Sequence, residues 1–212
     1  MAVSSKTDVC NLSQDLLSAA VILDIDNPTT PDEEMYARWY DQSRKKVLRE
    51  HPWKFATKRQ IIAASSTAPD FGYTKAFPLP NDFIRFLTIE SDEGLLILSD
   101  EYQIESHLGV QSVLISTDAA SVRLRYVYDI EDVTKFDSMF ISYFALDLAL
   151  AVAYKTTESN GNVDRITQLQ KQQGSMARAI SGQERSPTRI ERSKNRSARM
   201  NGSYRNSHRI IF

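Results

Sequence analysis

The sequence predicts an α+β fold: a four-helix bundle with a small antiparallel β lobe inserted between its halves and an extended C-terminal arm. Three observations carry this expectation. Apolar residues recur at helical spacing before Pro52 and again after Asp137. The middle third alternates in short runs of β-branched and aromatic residues, and the final stretch is rich in Ser, Arg and Asn. The expected divisions are 1–56 and 134–183 for the two halves of the bundle, 57–133 for the β lobe, and 184–212 for a basic docking arm.

The first helix is expected to start at Ser5 or Thr7, with Val9, Leu12, Leu16 and Ala20 on one face. A sharper start follows at Thr30-Pro31-Asp32-Glu33. Thr30 suits the N-cap, Pro31 the first helical position, and Glu33 completes a capping box. Tyr36, Trp39, Tyr40, Ser43 and Val47 form the stripe of this helix. Arg44, Lys45, Lys46 and Arg49 crowd its C-terminal end, where positive charge suits the helix dipole, and Pro52 stops it.

Strands are expected in Ile61-Ile62, Tyr73 to Leu79, Phe83 to Ile89, Leu95 to Leu98, Tyr102 to Ser106, Val113 to Ser116 and Val122 to Tyr128. In the last of these, Val122, Leu124, Tyr126 and Tyr128 alternate with Arg123, Arg125 and Val127, the pattern of a half-buried strand. Helix returns at Asp137 or Ser138. Phe140, Phe144, Ala145, Leu148, Ala151 and Val152 make it so broadly apolar that most of its sides must be covered. After a turn at Glu158 to Asn162, a last helix to Ile180 carries a narrow seam of Ile166, Leu169, Gln173, Met176 and Ile180.

The 212 residues carry a net charge of −1, but the charge is unevenly spread. From Arg185 onward eight Arg or Lys residues face one acid, Glu191, whereas the residues before them hold 18 basic and 26 acidic side chains. An acidic body with a basic arm seeks anionic partners. The arm residues expected to dock are Arg185, Arg189, Arg192, Arg196, Arg199, Tyr204, Arg205 and Arg209, ending in the apolar anchor Ile210, Ile211 and Phe212. One cysteine, Cys10, rules out an internal disulfide framework and suggests a reducing compartment. The N-terminus lacks the pattern of a secretory signal. The apolar stretch Met139 to Tyr154 contains Asp147 and is short for a bilayer, so no membrane partner is expected.

Residue patterns for chemistry are sparse. His51, His107 and His208 lie in separate regions, and no Gly-rich phosphate loop, G-x-S-x-G or H-E-x-x-H occurs. Asp24 and Asp26 fit a turn better than a cation site. Glu131 and Asp132 fit a helix start better than a catalytic pair. Asp147 needs a partner inside its apolar helix, expected to be an arginine. Trp39, Tyr40, Trp53 and Phe55 are expected as a structural core joining the second helix to the β lobe. No catalytic residue, metal ligand or cofactor is assigned, and the chain is not expected to be an enzyme.

Several of these residues occur in a recognisable succession. Asp8-Val9-Cys10-Asn11-Leu12 leads to Asp15-Leu16-Leu17, then Ile25-Asp26 and Thr29-Thr30-Pro31. Trp39-Tyr40-Asp41, Arg44 and Leu48-Arg49 run into His51-Pro52-Trp53-Lys54-Phe55-Ala56, and Phe77-Pro78-Leu79-Pro80-Asn81-Asp82 is followed by Arg85. This succession resembles the head-to-tail adaptors of short-tailed bacteriophages, the tail tubular protein A family. The resemblance covers Asp8 to Glu90; the remainder agrees only in the order of elements, and the arm matches no motif of the family. It implies a structural homo-oligomeric ring, a dodecamer in the usual case, between the portal protein and the tail nozzle protein. DNA would pass through its lumen without sequence-specific binding. It also implies a place in the neck of the virion after assembly in the bacterial cytoplasm. The alternative reading is a nucleic-acid-binding protein that grips phosphates with the basic arm.

Overall fold

A computed structural model describes residues 3–98, 100–157 and 160–183. The chain divides after Ser181, and the fold described below belongs to the part before that division.

Local chemistry sets the first two helices. α1 spans Lys6–Leu17, where Ser5 accepts from the Asp8 N–H and the Asp8 carboxylate accepts from the Ser5 N–H, a reciprocal box. It ends at Ser18, in the left-handed region at φ 55°. Its buried face is Val9, Cys10, Ser13, Gln14 and Leu17, rotated from the expected stripe, so that Leu12 is left 36% exposed. The rotation brings the Ser13 hydroxyl 3.0 Å from the Tyr36 hydroxyl. α2 spans Pro31–Glu50 with Thr30 as N-cap and Glu33 closing the box, and it ends before Pro52. Tyr36, Tyr40, Ser43 and Val47 are buried, Arg44 and Leu48 widen the stripe on the side away from Trp39, and Met35 is buried on the near side.

Six strands follow: β1 Thr57–Ala63, β2 Lys75–Pro78, β3 Phe83–Ser91, β4 Tyr102–His107, β5 Val110–Ile115 and β6 Ser121–Tyr128. They form two three-stranded antiparallel sheets, in the orders β1-β6-β3 and β2-β5-β4. Ile62, Ile89, Val122, Leu124 and Tyr126 of the first sheet share a core with Phe77, Leu79, Val113 and Ile115, from or beside the second. Leu95 to Leu98 is not a strand as expected. Among the described residues Leu96 alone is bridged, to Glu90, after the chain turns at Gly94 with φ 83°.

A 3₁₀ turn at Val133–Lys135 leads into α3, Ser138–Thr157, and α4 spans Asn160–Gln183. The expected four-helix bundle is not formed. α3 packs between α1 and α2, and this three-helix core is completed by the end of the β region through Val127, Ile130, Val133 and Phe136. A bundle would need a broad apolar stripe on every helix. Among the described side chains of α4, Ile166 and Ala177 are the fully buried ones, beside Gly174, and Met176 and Ile180 are left 55% and 38% exposed. The architecture is therefore an α+β mix, in which a sheet end fills ground that a fourth helix would occupy.

Candidate functional site

The aromatic group marks the joint between helices and sheet. Trp53 is 3% exposed, donates its indole N–H to the Val47 carbonyl at 2.9 Å, and meets Phe140 edge-on at 5.2 Å. Tyr40 is buried against Phe144, and Phe55 is half-buried against Phe136 and Phe140. Trp39 does not join them. It is 41% exposed, because one residue of helix turns it about 100° away from Tyr40.

One polar clamp reinforces the joint, and a second ties the strands beside it. Arg85 on β3 donates to the carbonyls of Arg49 and Glu50 at 3.0 and 3.2 Å, satisfying the end of α2, while Arg49 donates to the Ile84 carbonyl at 2.8 Å. Asp82 accepts from the Tyr126 hydroxyl at 2.9 Å and from Lys58 at 2.7 Å. Burial, then the Asp82 carboxylate, pushes the Tyr126 hydroxyl upward.

Asp147, 2% exposed on α3, has a lysine partner rather than the expected arginine. Lys46 lies 2.5 Å away, and Gln170 of α4 donates to the same oxygen at 2.6 Å. Arg44 sits two residues away on α2 and is drawn instead to Asp129 at 3.0 Å. The Asp147 side chain floors a shallow groove of about 410 Å³ between α2 and α3, rimmed by Trp39, Lys46 and Leu150.

Glu131 and Asp132 have structural partners. Glu131 lies 3.7 Å from Arg44, and Asp132 accepts from the Thr134 N–H at the start of the 3₁₀ turn. Asp24 accepts from the Asp26 N–H, and Asp26 pairs with Lys6, as in a turn. Burial pushes the Cys10 thiol well above the reactive range. Among the described residues no group of three or more His, Cys, Asp or Glu is placed to hold a metal.

Sequence reasoning did not single out the outer face of the first sheet. Antiparallel register sets Arg59 opposite Arg125, and Ile61 opposite Arg123, around a shallow depression of about 440 Å³. Thr88 and Glu90 complete the face from β3. Among the described residues no hydrogen bond or ion pair reaches the three guanidinium groups, and the Arg125 Nε is shut from solvent without an acceptor. The alternation at Arg123 and Arg125 was the available signal. What it lacked was the register that adds Arg59.

The docking residues proposed from the sequence, Arg185, Arg189, Arg192, Arg196, Arg199, Tyr204, Arg205, Arg209, Ile210, Ile211 and Phe212, lie outside the described residues, as does His208. No protein-family model matches the chain, and no curated protein matches it in sequence.

Proposed function

We propose that the chain is a structural subunit of a head-to-tail adaptor ring, joining a phage portal to the tail nozzle and letting DNA pass. One observation carries the reading. Residues that make up the phage-adaptor succession cap, lock and clamp this fold, and two of them, Arg49 and Arg85, meet across 36 residues of sequence. Thr30 caps α2, Trp53 locks the turn after it, Arg85 ties the sheet to the end of α2, and Asp82 links β1 to β6 through Lys58 and Tyr126. A body clamped in this way suits a part that bears load between two larger assemblies. The acidic body and basic arm add charge complementarity for subunits and portal.

The test is deletion of Ser186 to Phe212. The truncated chain keeps its unfolding transition and no longer joins DNA-filled heads. Normal attachment of the truncated chain to portal-bearing capsids would overturn the role given to the arm. A second reading, nucleic-acid binding, is favoured by the eight basic residues after Glu184. It predicts DNA affinity that falls steeply with salt and is lost when those arginines are replaced.

A further inference from the structure

We infer that the outer face of the first sheet is a socket for a second copy of this chain, filled by that copy's Asp92 to Leu98 segment in a head-to-tail contact. The inference rests on the ring reading and deepens it by naming the surfaces that meet.

The socket combines charge with apolar surface. Arg59 and Arg125 oppose each other across β1 and β6, an unfavourable pairing unless an anion lies between or above them. Beside them on the edge strand, Ile61 is 67% exposed. Arg123 lies on the same face and, like Arg59, is exposed, whereas Arg125 is half-buried. Arg59 and Arg125 are the two cations that register sets directly opposite each other.

The plug has the opposite charge and matching apolar surface. Asp92 and Glu93 are exposed, and just beyond them Leu95, Leu96 and Leu98 are 65%, 57% and 54% exposed. Ile97 turns inward and holds the segment to the sheet, its N–H donating to the Ile89 carbonyl. Two carboxylates followed by leucines face two arginines beside an isoleucine.

The two surfaces cannot satisfy each other within one chain. Ile61, Arg123, Glu90 and Leu96 form a single cross-strand row, with Ile61 at one end and Leu96 at the other. Three strand spacings separate those ends by about 14 Å. A contact from one edge to the opposite edge of a neighbour is heterologous, and such contacts make rings when the rotation closes. Nucleic acid fits the face less well. Phosphates would leave Ile61 and the leucines uncovered, and would find no aromatic ring among the residues lining the depression for base stacking.

The test uses the full-length chain carrying Ile61→Cys and Leu96→Cys. An internal bridge would need Cα atoms within about 7 Å, which this row forbids, and Cys10 is buried. Mild oxidation with copper phenanthroline, in concentrated solution and on portal-bearing capsids, is expected to give a ladder of linked oligomers that neither single-cysteine variant gives. Charge reversal checks the same contact. Arg59→Glu with Arg125→Glu, or Asp92→Lys with Glu93→Lys, weakens assembly at least tenfold, and mixing the two variants restores it. Rings that form on portals without a ladder, and tolerate either reversal, overturn the socket while the ring reading stands. The same holds if the arginine reversal removes salt-sensitive DNA binding and leaves rings intact. Absence of ring and ladder under every condition overturns both.

Discussion

Lys46 on α2 and Asp147 on α3, 101 residues apart in sequence, meet at 2.5 Å. The pair is lopsided, because the lysine side chain is 55% exposed and the aspartate 2%. Removing the lysine strands a buried carboxylate, whereas removing the aspartate leaves an ammonium that can reach water. Lys46→Met is therefore expected to cost about 2–3 kcal/mol of stability and Asp147→Asn only about 1 kcal/mol. Denaturant unfolding of both variants checks the order. Equal losses would show that the pair is not asymmetric.

Glu33 predicts a specific acid sensitivity. The Thr29 backbone N–H, helped by the Thr29 hydroxyl and the N–H groups of Leu23 and Thr30, holds its carboxyl down at about 2. A carboxyl depressed in the folded state stabilises fully above its unfolded value, roughly 4.3, and loses that contribution as pH falls toward the folded value. Glu33→Gln should therefore flatten the decline in stability between about pH 4.5 and 2. Unfolding curves across that range test this, and identical declines in variant and parent would contradict it.

Gly174 is fitted to Tyr143. A side chain begun at Gly174 would lie 2.8 Å from the Tyr143 ring, whose hydroxyl donates to Glu50 at 2.6 Å. Alanine would ordinarily favour a helix by up to about 1 kcal/mol over glycine. Here Gly174→Ala is expected to destabilise by about 1–2 kcal/mol, because α4 or the tyrosine must move. A raised melting temperature would show that the two helices are less closely held.

The two tryptophans should separate by fluorescence. Trp39→Phe leaves Trp53, with blue-shifted emission and weak acrylamide quenching; Trp53→Phe leaves the exposed Trp39, with red-shifted and strongly quenched emission. Substituting Trp53 by alanine should also cost about 3–5 kcal/mol. Comparable quenching in the two phenylalanine variants would contradict the assignment of Trp39 to the surface.

The legible parts of the fold were local. The Thr30–Glu33 box and the stop at Pro52 depend on residues within one turn of each other. The alternation from Val122 to Tyr128 marked a strand without reference to its neighbours. Distance in sequence hid the rest. Arg44, Lys45 and Lys46 look interchangeable in the chain, but each step rotates the side chain by about 100°, and only the packing of α2 on α3 brings Lys46 to Asp147. Arg59 joins Arg125 through register, which no local pattern records. The bundle failed as an expectation for the same reason. Of the seam expected on α4, Ile166 is buried, but Met176 and Ile180 are exposed and Ala177 is buried in their stead, while Phe136 and its neighbours close the core.

The most direct measurement is electron microscopy of portal-bearing capsids incubated with the purified full-length chain. A closed ring of copies seated on the portal, with the arginine face of each against the Asp92 to Leu98 segment of the next, is the predicted result. Capsids with bare portals, beside chain found only along free DNA, would contradict the adaptor ring and favour nucleic-acid binding.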